Sequence, residues 1–387
     1  MEREKILVFA NISEFLAPPT KSSIFEGYKK INKMLYSKFV IPKLKKFRNK
    51  NDVLVICSDI ETQDLFSSND LKTKLIREYE TKIETDKIER SVLEILDESF
   101  FSKKLKELTP LENTSLFDLS EEGIFFYIVA SLELFFTIEK AIDIERPDKI
   151  ISFGGDNALN ILTNMVAEKK GVEITNLKSL GLKTIKAQSR LVDRFFPSVI
   201  KFFRKRKTLN GYRVSLEREP NRNRKVLVFT GSGHHSDMIV PWVKELNPSE
   251  ILVVGLYDDK LKYNQQGIEF NHLSFYTSDE ISEEVNRKGK FLKKSWNDLK
   301  HDSKFKSSLK YENINLWKIM EKEFMILFFN FFLRAFEYFK VMLNAIETED
   351  PNLIVVLNDR NMFGKSASLA GNLKGKKTLC IQHGTFG

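Results

Sequence analysis

Histidine is scarce in this chain, five residues in all, and three of the five stand in polar stretches that contain glycine. His234 and His235 follow Gly231-Ser232-Gly233 inside the run Thr230–Asp237, and His383 sits in Gln382-His383-Gly384. An imidazole titrates near neutrality, so it needs little tuning to take a proton from a hydroxyl as a general base. Glycines ahead of the histidine pair let the backbone approach a ligand, and a helix starting there offers free N–H groups to an anion. A third cluster, Asn358-Asp359-Arg360-Asn361, brings a carboxylate, a guanidinium and two amides together; Asp359 and Arg360 could bind sugar hydroxyls or a phosphate. Plainer readings stand beside these. Ser236 or Asp237 could simply cap a helix, Asp359 could cap another, and the histidines could stand in solvent or close a strand. The glycine run is not the dinucleotide fingerprint, which requires a further glycine where Ser236 stands. The pair His234-His235 with the lone His272 and His301 has no metal-ligand spacing, so neither a metal nor a bound cofactor is expected.

Short apolar runs must position these clusters. Leu353–Leu357 reads as a strand buried on both faces and Thr378–Ile381 as a second short apolar strand, separated by a small-residue helix that Gly375 closes. Lys225–Thr230 is a strand leading into the glycine run, and Ile251–Leu256 is the next. In an open parallel sheet ligands bind beyond the carboxyl ends of the strands, where all three polar clusters would then lie. The first half of the chain has the same order: strands Lys5–Ala10 and Val53–Ser58, a long helix Leu119–Ile144, a strand Lys149–Phe153, a helix Ala158–Lys170 closed by Gly171, and a strand Val172–Leu177. With Pro351 set on Pro147, Ile354 falls on Ile150, Asn361 on Asn157, Lys374 on Lys170 and Gly375 on Gly171. The expected fold class is α/β, tandem Rossmann-like parallel-sheet domains with long Phe-rich helices. Residues 1–203 form the first domain, 204–224 a charged linker, and 225–387 the second domain. The first is expected to be non-catalytic: Ser179 stands where the second has His383, no glycine run follows Ala10, and Gly154-Gly155-Asp156 reads as a turn. The stretch from Asp70 to about Leu108, heavily charged, reads as helical and solvated.

The closing pattern, a strand after Pro351, an Asn-Asp turn, a small-residue helix, Gly375 and a strand ending in Gln382-His383-Gly384, resembles the GT-B glycosyltransferase superfamily. The branch it is most similar to makes capsules and other surface polysaccharides and is related to CDP-glycerol glycerophosphotransferase-like and nucleotide-sugar epimerase-like enzymes. The resemblance covers about the second half of the chain. It implies that this pattern ends an acceptor-side domain, GT-B-like in fold, and that a donor-binding domain should follow. Because only three residues come after Gly384, the expectation is either that this chain is a fragment or that the donor half is absent. The loop before Pro241 resembles the first βα loop of GT-B enzymes, which implies that His234 or His235 deprotonates the acceptor. Gly231, Ser232 and Gly233 would bind substrate, Gln382 and His383 would face donor phosphates or the acceptor, and Gly384 would turn the backbone toward the cleft. Implied partners are a nucleotide-activated sugar, as substrate rather than cofactor, and a glycan or lipid-linked acceptor. Two alternatives remain: a sugar-nucleotide epimerase or hydrolase of the same architecture, and a non-catalytic glycan-binding or scaffolding protein.

Composition bounds these readings. A net charge of +9 points to an acidic partner, nucleotide phosphate or anionic lipid, or only to free use of lysine. No nucleic-acid module is present. Cys57 and Cys380, the two cysteines, end apolar runs and read as core residues in a reducing compartment. The start has no signal-peptide pattern and no run reaches the ~18 apolar residues of a membrane span, so a cytoplasmic location is expected. Leu191–Lys207, basic with paired phenylalanines, fits either an anionic membrane surface on the inner face or packing between domains. The Phe-rich helix Phe324–Ile346 carries Asn330, Arg334, Glu337 and Asn344 on one stripe, as expected of a helix wedged against a sheet or another domain; Arg334 and Glu337 would be costly in lipid and disfavour membrane insertion.

Overall fold

The computed structural model describes residues 3–11, 33–34, 36–80, 85–97, 99–152, 158–176, 225–231, 235–256 and 260–381. The strands among them are β1 (Lys5–Ala10), β2 (Asp52–Cys57), β3 (Lys72–Leu75), the hairpin pair β4 (Pro110–Leu111) and β5 (Thr114–Ser115), β6 (Lys149–Ser152) and β7 (Glu173–Asn176). In the second half they are β8 (Val226–Thr230), β9 (Ile251–Gly255), β10 (Glu269–His272), the hairpin pair β11 (Lys310–Tyr311) and β12 (Ile314–Asn315), β13 (Leu353–Val356) and β14 (Lys377–Cys380). The chain divides into two compact units: Met1–Asp97 with Phe125–Leu191 and Leu309–Glu321, and Glu98–Ile124 with Val192–Ser308 and Lys322–Gly387. The stretches 204–224 and 191–207, Ser179 and the Gly154-Gly155-Asp156 turn lie outside the described residues.

The first unit is built on a five-stranded sheet of order β3-β2-β1-β6-β7. Every pairing in it is parallel. Its middle strands are apolar on both faces, as strands covered on both sides must be, and Ile6, Val8, Val55 and Ile151 sit in the core with Leu44 and Phe66. The charged stretch after Asp70, expected to be helical, opens instead with β3, then a 3-10 turn Ile76–Tyr79, before helices Thr85–Asp97 and Phe100–Leu108. The lysines of β3 misled because this strand is an edge, where lysine is tolerated and blunts further pairing. Lys74 of that edge donates to Glu145 at 2.7 Å, Tyr79 Oη donates to the same carboxylate at 2.6 Å, and Lys5 reaches it at 3.0 Å. Glu145, at the end of the helix Leu116–Glu145, is thereby tied to a strand and a turn far away in sequence.

The second unit repeats this plan. Its sheet runs β10-β9-β8-β13-β14, again with parallel pairings throughout. The registers correspond: Lys149 faces Glu173 in one sheet, and Leu353 faces Lys377 in the other. Tyr276 Oη donates to Glu349 at 2.6 Å, the counterpart of Tyr79 on Glu145. Each long helix ends beside a left-handed residue, Arg146 and Asp350, both at φ 44°, and each hairpin turns on a glutamate at φ 49°, Glu112 and Glu312. The expected α/β fold class, tandem Rossmann-like parallel sheets with long Phe-rich helices, is the fold observed. The Phe-rich segment is longer than its sequence pattern indicates: helix Trp317–Ile326, a π turn Leu327–Phe331, then helix Phe332–Glu349. Phe328, Phe332 and Phe339 are fully buried, and Phe328 packs on Trp296 with ring centroids 5.7 Å apart. Asn344 of the polar stripe donates to the Tyr276 carbonyl at 2.7 Å. Among the described residues no helix is long and apolar enough to cross a membrane.

Candidate functional site

Three strand ends of the second unit lie side by side. In parallel register, Val356 of β13 is level with Phe229 of β8 on one side and Cys380 of β14 on the other. Ile381 then donates its amide to the Val356 carbonyl at 2.9 Å. Gly231, Asn358 and Ile381 therefore leave the sheet at one edge, each opening one of the polar clusters. Of the first cluster, Gly231 is half-buried, and a Cβ placed on it would come 3.0 Å from the Phe363 ring. Ser232, Gly233 and His234 lie outside the described residues, and His235 is the first residue of the helix His235–Lys244. Asp237, in that helix's first turn, is exposed and pairs with Lys262 at 2.5 Å. Gln382, His383 and Gly384 also lie outside the described residues.

The third cluster is described in full. Asn358 Oδ1 accepts from the backbone amides of Arg360 at 2.8 Å and Asn361 at 3.2 Å, closing a tight Asx turn. Asn361, not Asp359, caps the helix Met362–Leu373, its Oδ1 accepting from the Gly364 amide at 2.8 Å. A Cβ on Gly364 would lie 1.5 Å from the Asn358 carbonyl oxygen, so only glycine lets the turn fold back on the helix. The two asparagines thus set the backbone, while Asp359 and Arg360 are held on the exposed side of the turn. Burial, and then the adjacent Asp359 charge, push the Cys380 thiol up, which disfavours the thiolate.

Beside Asp359 lies a cavity of about 550 Å³ that no sequence pattern announced. The helix Met362–Leu373 lends it Lys365, Ser368, Leu369 and Asn372, spaced as one face of a helix, and β14 lends Thr378 and Cys380. The opposite wall is Thr114, Asp118, Leu119 and Glu121, from the β5 end and the helix after it. Lys365 Nζ joins the walls by donating to the Asp118 carbonyl at 2.8 Å. Asp118 itself accepts from Ser115 Oγ at 2.6 Å and Thr114 Oγ1 at 2.9 Å and pairs with Lys106 at 3.0 Å. Burial alone would raise the Asp118 carboxyl, but the hydrogen bonds from Ser115, Lys106 and Thr114 outweigh it and hold the group below its usual range. The helical spacing of Lys365, Ser368 and Asn372 was available in the sequence. Their pairing with residues 114–121 was not, because those lie more than half the chain away. His272 ends β10 with Nε2 at 2.9 Å from the Leu256 carbonyl and Nδ1 at 3.2 Å from the Ser274 amide, so both ring nitrogens serve the backbone. Among the described residues no group of three or more His, Cys, Asp or Glu side chains could hold a metal ion.

No family model matches the chain, and no curated protein matches it. Among solved structures, it is similar to a UDP-GlcNAc 2-epimerase from Neisseria meningitidis, bound to UDP-GlcNAc, at 10% identity and a TM-score of 0.22. The match covers 99% of this chain and 83% of that one. At that score it supports no reading of activity, and the fold described above rests on the chain's own strand order.

Proposed function

We propose that this protein acts in the transfer of a sugar, or a related polyol phosphate, from a nucleotide-activated donor to a growing surface glycan. The supporting observation is the shared edge: β8, β13 and β14 are adjacent and parallel, so the segments that carry His234, Asp359 and His383 all start from one side of one sheet. Open parallel sheets bind their ligands there. In this reading His234, or His235 beside it, takes the proton of the acceptor hydroxyl as that oxygen bonds to the sugar's anomeric carbon. The bond from that carbon to the diphosphate breaks, and the departing nucleotide keeps the electron pair. The helix His235–Lys244 would present its N-terminal amides to the charge that develops, with Gly231, Ser232 and Gly233 allowing the approach. Gln382, His383 and Gly384 would contact the donor phosphates, with Asp359, Arg360 and Asn361 bordering the same space.

The test is incubation of the purified chain with a panel of nucleotide-activated sugars and polyols plus a glycan acceptor, with products read by mass spectrometry. A mass gain on the acceptor is expected. His234→Ala or His235→Ala should lower turnover by ~100-fold or more, as for a lost general base, while His383→Ala should raise the donor KM more than it lowers kcat. Epimerised or hydrolysed donor without any acceptor product, or no engagement of any donor, overturns the proposal.

A further inference from the structure

The cavity beside Asp359 has an internal control, because the first unit is built on the same frame. The register of β6 with β7 matches that of β13 with β14, and the intervening helices close at Gly171 and Gly375, both left-handed. On that frame Lys365, Ser368, Asn372 and Thr378 correspond to Ile161, Asn164, Glu168 and Ile174. The hairpins, each turning on its left-handed glutamate, set Asp118 against Lys318 and Leu119 against Ile319. The same architecture is therefore made with isoleucine in place of Lys365 and Thr378, and with a lysine in place of Asp118. The Lys365 ammonium, the Thr378 hydroxyl and the Asp118 carboxylate are properties of the second unit and not requirements of the fold, while polar residues stand at the Ser368 and Asn372 positions in both.

Their chemistry selects a ligand class. The lining carries three carboxylates, Asp118, Glu121 and Asp359, against one ammonium, Lys365, and Lys106 pairs with Asp118 from outside it, which leaves one negative charge in excess. That balance repels a phosphate or a nucleotide. What it offers instead is a mixed set of hydrogen-bonding groups. Asp359 accepts, Ser368 and Thr378 can do both, Asn372 has an accepting amide oxygen, which Thr378 Oγ1 reaches at 3.5 Å, and a donating NH2, and an ammonium has three donors, of which Lys365 gives one to the Asp118 carbonyl. Leu119 and Leu369 add apolar surface for C–H groups. A volume of about 550 Å³ is that of a small-molecule pocket.

We infer that this cavity binds a neutral, hydroxyl-rich ligand, one residue of a saccharide or a polyol, and that it is the seat of the acceptor; the word acceptor rests on the transfer reaction proposed above. The donor's diphosphate is excluded from it by charge. The experiment is ligand-observed saturation-transfer NMR and calorimetry on the full chain, with free glucose, N-acetylglucosamine and glycerol as neutral probes and with inorganic phosphate and UDP as charged ones. At least one neutral probe should bind and should not be displaced by phosphate. Ser368→Leu, which fills the cavity, and Asn372→Ala, at an exposed position where folding is not at stake, should each weaken it by about tenfold or more. Failure of every neutral probe to bind, displacement by phosphate, or unchanged affinity in Asn372→Ala overturns the assignment. The two proposals fail separately. A neutral probe that binds without transfer activity removes the reaction and leaves the pocket, whereas transfer activity without neutral-probe binding removes the pocket and leaves the reaction.

Discussion

Glu145 shows what a single side chain does here. Its carboxylate ends a helix, yet its three partners come from β1, from β3 and from the turn after it, so one residue ties together segments that approach only in the folded chain. Burial alone would raise its pKa, but the bonds from Lys74, Tyr79 and Lys5 outweigh burial and bring it down to about 2. A carboxyl depressed in the folded state contributes stability that is complete above its unfolded value near 4.5 and is lost as pH falls toward about 2. Glu145→Gln should therefore cost about 1–3 kcal/mol near neutrality. Between these two pKa values its denaturation midpoint should fall less steeply with acidity than that of the parent. Parallel pH-dependent slopes for the two proteins in urea titrations would remove this role. The sequence marked Glu145 only as a late residue of a long helix. Its partners were illegible because Lys5, Lys74 and Tyr79 have no sequence relation to it, and because β3 was hidden by its own lysines. Asn361 is the opposite case: a polar residue before a small-residue helix is a capping signal, and the sequence misplaced that cap by only two positions.

At the scale of elements, the helix Met362–Leu373 is specified by its glycines. Gly364 meets the Asn358 carbonyl, and Gly371 lies against β13 and β14, where a Cβ would come 2.6 Å from Ile354 Cδ1 and 2.9 Å from Thr378 Cγ2. The run of small residues was legible as a helix, but its two close approaches were not, since they depend on how the turn folds back and how near the strands lie. Gly123, in the first third of the helix Leu116–Glu145, has nothing within 4 Å of an added Cβ. Substitution by alanine should thus have opposite signs at the two kinds of site. Gly364→Ala meets backbone that cannot rotate away and should destabilise by about 3 kcal/mol or more, whereas Gly123→Ala should stabilise by ~0.5–1 kcal/mol through helix propensity alone. Thermal melts of the two variants decide it, and equal shifts of either sign would undo the argument. The strands the sequence did show are β1, β2, β6, β7, β8, β9, β13 and β14, each within a run that contains apolar residues. β3 (KTKL) and β10 (EFNH), the outer strands at matching ends of their sheets, are short and polar, which is what an edge permits.

For the molecule as a whole, the repeat is carried by equivalent contacts more than by equal residues. The alignment on the two prolines showed sparse identities, yet the frame keeps a tyrosine on a helix-ending glutamate in each unit, Tyr79 on Glu145 and Tyr276 on Glu349, at 2.6 Å in both. These two pairs are too far apart along each half to show in a periodicity, so the sequence order of elements revealed the duplication while the contacts that define it stayed hidden. The Tyr79 phenol is pushed well above its ordinary value by burial and by its bond to Glu145, so it is a protonated donor at neutral pH. Removing either hydroxyl leaves a carboxylate with one donor fewer, at a cost of about 1–2 kcal/mol for Tyr79→Phe or Tyr276→Phe. Each pair is assembled within its own unit, from residues the other pair does not touch. The double variant should then lose the sum of the two single losses to within ~0.5 kcal/mol, as sites without shared partners do. Guanidinium unfolding of the four proteins in one cycle measures this. A coupling term clearly larger than that would mean the two glutamate nodes are not independent, and the reading of the chain as two separately braced copies of one frame would fall with it.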